Sequence, residues 1–197
     1  MKKFLIIVFV FLSCDLISQV YFTRTAHVLV KSQNNVKNIE ADNYQIVSSI
    51  DLKSGDIRFE GLLKSFEFKL GALDRVFSSK SIDVSKYPKF RFVGKLTSSN
   101  KINIDNSSGQ DVTVEGTLYL WDEKRKTSAQ GTITSLGNGK FKTHSEFVMR
   151  IEEKSMNKLN QLIDQKLPDI VNITTDRFGV DRNIKVKLEA EYSLRNW

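Results

Sequence analysis

The chain has 197 residues, 40% of them hydrophobic and 27% charged, with a formal net charge of +7, two prolines and one cysteine. That length fits one domain with its own core, and a single cysteine excludes an internal disulfide framework. The basic balance raises nucleic acid or an anionic membrane surface as partners, but Lys and Arg alternate with Glu and Asp, and no basic patch is interleaved with stacking aromatics. Nucleic acid is therefore not the expected partner.

The first residues predict the compartment. Lys2 and Lys3 form a basic start, Phe4 to Leu12 an apolar run and Ser13 to Ser18 a short exit, which reads as a secretory signal peptide over residues 1–18. The run is too short for an ordinary membrane-spanning helix. Cleavage after Ser18 leaves Gln19 as the first residue of a periplasmic or secreted protein without a thiol. The rival reading is a lipoprotein site at Cys14, whose thiol would carry an anchor. Residues 19–197 show no linker, composition break or repeat, so they are expected to form one domain.

In chain order, Val20 to Val30 is the predicted opening strand, and Lys31 to Lys37 a polar connection. Tyr44 to Leu52 follows as a second strand closed by Ser54-Gly55-Asp56, a turn sequence. Ile57 to Leu70 supplies one or two strands, with Gly61 marking a bulge or a close backbone approach. Within it Phe66, Phe68 and Leu70 share one parity while Glu67 and Lys69 take the other, the period of a strand. Arg75 to Tyr87 loses the alternation and is expected to be a short helix or loop over one barrel end.

The alternation resumes at Phe90 to Leu96, where Phe90 and Phe92 oppose Lys89, Arg91 and an outward Val93. Asn100 to Gln110 is a polar connection with its tip at Asn106 to Gly109. Val112, Val114, Leu118 and Leu120 then oppose Thr113, Glu115, Thr117 and Tyr119, and Thr127 to Leu136 is the expected partner strand. Between them, Lys124-Arg125-Lys126 reads as a solvated hairpin tip, or as a contact for a phosphate or lipid headgroup. Gly137-Asn138-Gly139 predicts a tight turn into Phe141 to Ile151, where Phe147, Met149 and Ile151 oppose Val148 and Arg150. Lys154 to Leu167 carries Met156, Leu159, Leu162 and Ile163 at helical spacing and stops before Pro168. It reads as an amphipathic helix that caps the barrel, or as a lid that touches a membrane during loading. In the last strand Ile184, Val186, Leu188, Ala190 and Tyr192 alternate with Lys185, Lys187, Glu189 and Glu191. One-sided alternation in repeated hairpins favours an all-β fold, a closed antiparallel barrel of about eight strands with one or two short capping helices, over an α/β sheet.

Several of these segments together resemble the YceI-like family of secreted bacterial lipid-binding proteins. The run Phe77-Ser78-Ser79-Lys80-Ser81-Ile82-Asp83-Val84-Ser85 leads into Lys86-Tyr87-Pro88-Lys89-Phe90-Arg91-Phe92, the segment where the resemblance is most visible. Asn38 to Ala41, Ile50 to Ile57 and Leu63 to Phe68 are similar to the family's early strands, and Val112 to Leu120 to its next hairpin. The resemblance implies an extended lipocalin-like barrel, and in some members a polyisoprenoid or fatty chain held in an elongated central tunnel. Trp121-Asp122-Glu123-Lys124 stands where many relatives carry a glycine and a threonine, so Trp121 either shields the hairpin corner or sits at the tunnel mouth.

The residues themselves leave open whether the interior is hollow or filled, because a solid core and a greasy tunnel need the same inward Phe, Leu, Val and Met. With the resemblance, the expected ligand-binding wall comprises Phe66, Phe68, Phe90, Phe92, Leu118, Leu120, Phe147, Met149, Val186 and Leu188. Each isoprene unit buried there would contribute on the order of 3 kcal/mol before ordering costs. The expected partner is thus a long-chain apolar lipid, such as a polyisoprenoid, an isoprenoid quinone or a fatty chain, with transient membrane contact and no cofactor or metal. A barrel with a filled core that binds a partner at the cell envelope is the alternative, marked by an exposed apolar patch. A hydrolase is the third reading. His27 and His144 are far apart, Asp164 with Asp169 and Glu152 with Glu153 are the candidate carboxylate pairs, and no nucleophile, zinc or phosphate-loop motif accompanies them.

Overall fold

The computed structural model describes residues 19–33, 38–71, 74, 89–97, 102–121, 123–154, 157 and 182–194. Within them run β1 (Val20–Gln33), β2 (Asn38–Asp51), β3 (Asp56–Leu62), β4 (Glu67–Phe68), β5 (Lys89–Leu96), β6 (Gln110–Leu120), β7 (Glu123–Gly137), β8 (Lys140–Arg150) and β9 (Asn183–Leu194). Strand neighbours follow the order β1-β9-β8-β7-β6-β5-β3-β2, and β2 pairs back onto β1. All pairings are antiparallel, so eight strands close into a barrel. Closure pairs the first strand with the last, which removes the two outer edges that an open up-and-down sheet of this length would expose. β4 is an extra strand set against the first half of β2, with Phe68 opposite Ala41, while the second half of β2 pairs with β3.

The lower end of the barrel carries the β2–β3 turn, the connection from β5 to β6, and the β7–β8 turn. In that last turn Asn138 and Gly139 both have positive φ (52° and 67°), the geometry a two-residue hairpin needs to match strand twist. The upper end carries the β6–β7 turn at Trp121 and the connections β1–β2, β4–β5 and β8–β9.

The inward face changes parity midway along β1 and β2. In β1 the buried set runs Tyr21 and Thr23, then Ala26 and Val28; in β2 it runs Ala41 and Asn43, then Ile46, Ser48 and Ile50. Each strand carries a bulge here, since the register moves from Thr23 opposite Ser48 to Ala26 opposite Ile46 to Val28 opposite Asn43. Asn43 serves this break: its Oδ1 accepts from the Gln45 N–H at 2.9 Å and its Nδ2 donates to the Leu62 carbonyl at 3.0 Å, where β3 ends. A fully buried amide is stable there because its polar atoms replace interrupted ladder bonds.

Some expectations change. The alternation from Phe66 to Leu70 is not one continuous strand, because a 3₁₀ turn at Leu63–Ser65 precedes the two-residue β4. Lys124-Arg125-Lys126 is not a hairpin tip: β7 already begins at Glu123, opposite Leu120, so the turn is tighter than the charge run suggested. Glu123 and its neighbours extend the strand because their side chains project alternately to the two faces. The proposed leader at 1–18, all of Arg75 to Tyr87, most of Lys154 to Leu167, and Asp164 and Asp169 lie outside the described residues. The backbone is helical at Gly71 and Asp74, and again at Glu153, Lys154 and Asn157. No helix among the described residues is long and apolar enough to cross a membrane.

Candidate functional site: an apolar cavity inside the barrel

The lower third of the interior is solid. Tyr21, Phe141 and Tyr192 meet ring to ring, with centroids 4.9 Å and 5.0 Å apart, and all three are buried. Ser48 Oγ donates to the Arg58 carbonyl at 2.8 Å, so the Tyr192 hydroxyl, 2.7 Å away, must be the donor to Ser48. Burial pushes the Tyr192 phenol far above its ordinary value, so it stays protonated and keeps that bond. From the β5–β6 connection Ile102 and Ile104 pack against the same cluster.

Above this plug the barrel is hollow. A cavity of about 310 Å³ begins at Ile50, Ile57, Leu96, Val112 and Ile133 and rises to Leu63, Phe68, Leu70, Trp121 and Ile151 at the upper end. Its size lies at the small end of the ~300–1,000 Å³ typical of ligand pockets. All ten wall residues expected from the sequence border it: Phe66, Phe68, Phe90, Phe92, Leu118, Leu120, Phe147, Met149, Val186 and Leu188. Trp121 borders it too, so this residue sits at the mouth and does not merely shield the hairpin corner. Its φ of 53° shows how: a left-handed turn residue redirects the chain at the rim.

Three inward glycines let the aromatic rings lie against the wall. On β3, β5 and β6 the inward parity reaches Gly61, Gly94 and Gly116, and at each a Cβ would collide with a Phe90 or Phe92 ring. A Cβ at Gly116 would lie 2.6 Å from Phe92 Cζ, and one at Gly61 would lie 2.7 Å from Phe90 Cζ. Both rings therefore lie down over neighbouring glycines, against the wall. Phe59 with Phe92, and Phe66 with Phe90, continue this aromatic lining at centroid distances of 6.4 and 5.8 Å. Such walls make contacts worth ~0.1–0.2 kcal/mol per atom pair with whatever chain fills the space.

The rim is held by a charged clasp. Glu40 on β2 accepts from Lys31 on β1 at 3.0 Å and from Lys69 at the end of β4, whose backbone N–H also reaches the Glu40 carbonyl at 3.0 Å. The hydrogen bond from Lys69, then that from Lys31, holds the Glu40 carboxyl below its ordinary range. Through this clasp β4 is fixed so that Phe66, Phe68 and Leu70 face the cavity.

His27 and His144 are far apart in sequence, with no paired carboxylate motif beside either, yet the topology brings both to one carboxylate. Because β9 lies between β1 and β8, Glu189 stands opposite both His27 and His144. His27 Nε2 donates to Asp42 at 2.7 Å, its ring stacks on Tyr44, and His144 Nδ1 lies 3.4 Å from Glu189. Lys187 first, and then His144, keep the Glu189 carboxyl below its ordinary range. This row lies on the outer face and contains no serine, threonine or cysteine. No group of three or more His, Cys, Asp or Glu able to hold a metal occurs among the described residues.

Comparison with known proteins places the architecture. No family model matches the chain, and no curated protein does. Among solved structures, a polyisoprenoid-binding domain from Saccharophagus degradans, implicated in plant cell wall breakdown, superposes with a TM-score of 0.67 at 10% identity, over 90% of this chain and 99% of that one. BcnA of Burkholderia cenocepacia gives 0.58 at 13% identity, over 84% and 95%. A YceI protein of Campylobacter jejuni gives 0.50 at 14%, over 81% and 88%. The fold of this chain is YceI-like.

Proposed function

We propose that this barrel holds the hydrocarbon chain of a lipid, of the polyisoprenoid, isoprenoid quinone or fatty class, and carries it without transforming it. The observation that carries the reading is the cavity of about 310 Å³ with walls of Phe, Leu, Val, Ile and Met above a solid aromatic floor. An interior with so few polar groups offers nothing to orient a reacting bond, but it rewards each methylene withdrawn from water by ~0.8 kcal/mol. The polyisoprenoid-binding domain with the same fold supports this choice of ligand class. The leader read in residues 1–18 supports a secreted or periplasmic carrier.

The protein, purified from its native compartment and extracted with organic solvent, should release a lipid identifiable by mass spectrometry, and the emptied protein should take up added polyprenols. Extraction of no lipid, together with no uptake of any chain offered, would count against the carrier role.

A further inference from the structure

Among the described residues the ladder between β7 and β8 covers only part of the two strands. β7 begins at Glu123 and β8 continues to Arg150, yet the two pair only from Gly131 opposite Ser145 downward to the turn. Above that fork Glu123 to Gln130 pairs only with β6, and Glu146 to Arg150 only with β9, among the described residues. At the fork the Ser145 hydroxyl donates to the Gln130 carbonyl at 2.5 Å, a side-chain bond where the ladder bonds stop.

This seam opens into the cavity. Thr127 and Ala129 on one bank, and Phe147 and Met149 on the other, all line it, as do Gly131 and Ser145 at the fork. A second pocket of about 20 Å³ lies higher up, bordered by Leu118, Arg125, Met149 and Glu152, where Arg125 bridges the banks to Glu152 at 3.7 Å. Carried upward from Gly131 and Ser145, the register would set Ser128 against Val148 and Lys126 against Arg150. Both cations are exposed, as is Lys185, which stands opposite Val148 on β9. None of the three has a carboxylate partner among the described residues, whereas Lys31, Lys69 and Lys89 at the rim are each paired with one.

We propose that the β7–β8 seam is the doorway through which the ligand's chain crosses the barrel wall, and that its polar end stays outside between Lys126 and Arg150. The ligand is then an amphiphile with one hydrocarbon chain and an anionic end, a carboxylate or a phosphate. This rests on the lipid-binding reading above. The closed floor and the small cavity leave no room for a headgroup inside, and a wall without cross-strand bonds parts at the least cost in hydrogen bonding.

The test uses stearic acid bearing a nitroxide close to its carboxyl group, its methyl ester, and stearyl phosphate as competitor. A bimane label is placed on Val148→Cys beside the seam, or on Val47→Cys on the far wall; both side chains are exposed, at 61% and 43%. Immobilisation of the nitroxide in its paramagnetic resonance spectrum reports loading, and bimane quenching reports where the headgroup end rests. The labelled acid should quench bimane at Val148 more than at Val47, stearyl phosphate should displace it, and reversing Lys126→Glu and Arg150→Glu should weaken the acid against the ester by about fivefold per charge. Equal quenching at the two positions in loaded protein, or an unchanged preference of acid over ester, overturns the doorway and leaves the carrier reading standing. If the parent protein immobilises neither probe yet takes up added polyprenols, the doorway falls and the carrier reading stands; if it takes up neither the probes nor polyprenols, both fall.

Discussion

At the lower end of the barrel Tyr21, Phe141 and Tyr192 cross the axis and touch, whereas at the upper end Phe66, Phe90, Phe92 and Phe147 surround a void. Residue type does not separate the two regions, since both are aromatic. What separates them is the size of the inward neighbours and the posture this permits. Below, small Ala26 and Ala190 share the buried cluster with rings that reach toward the centre. Above, Gly61, Gly94 and Gly116 lie beneath rings that fold flat against the wall. Inward glycine is thus the device that keeps a hydrophobic interior open, because a ring lying on its own wall fills none of the axis.

The sharpest way to break this contrast is truncation at both ends. Phe141→Ala, at a ring packed on every side, should cost about 3–5 kcal/mol in denaturant unfolding. Phe147→Ala should cost only about 1 kcal/mol, since one side of its ring already lacks partners. Equal losses would mean that the two regions are packed alike. Next comes Gly61→Ala, whose Cβ would meet Ile46 Cδ1 at 2.4 Å and Phe90 at 2.7 Å, all flexible side-chain ends. The fold should survive with about 1–3 kcal/mol lost, while Phe90 is pushed inward and polyprenol uptake falls; unchanged uptake would show that the ring's posture does not set the free space.

The smallest effect concerns the Glu40 clasp. Its carboxyl is held below the ordinary carboxylate range by Lys69 and Lys31, so its contribution is fully present above the unfolded value of about 4.3 and is lost as pH falls through the lowered folded value. Glu40→Gln should therefore be less stable than the parent at neutral pH, with the gap closing in acid. Urea midpoints for both proteins across that range test it, and a gap that widens on acidification would reverse the sign.

Much of the cavity was legible because β6, β8 and β9 keep strict alternation, which carries Leu118, Leu120, Phe147, Met149, Val186 and Leu188 inward without interruption. β1 and β2 were less legible. Their bulges switch the inward parity, so Tyr44 and Val47 lie on the surface, at 54% and 43%, within a stretch that reads as one strand. The emptiness itself was hidden, because it depends on which glycines come side by side after pairing, such as Gly94 opposite Gly116. For the same reason the sequence could not reveal that Glu189 lies between two histidines, since β9 finds both neighbours only in the closed ring.

That ring has a kinetic side. The first strand completes its pairing only with the last, Val30 opposite Val186 and Phe22 opposite Ser193, so the longest loop in the chain must close before the barrel exists. Until β9 has emerged, a nascent chain is an open sheet with two bare edges and a greasy concave face. Folding should be slow for the protein's size, and self-association during synthesis is the hazard it has to outrun.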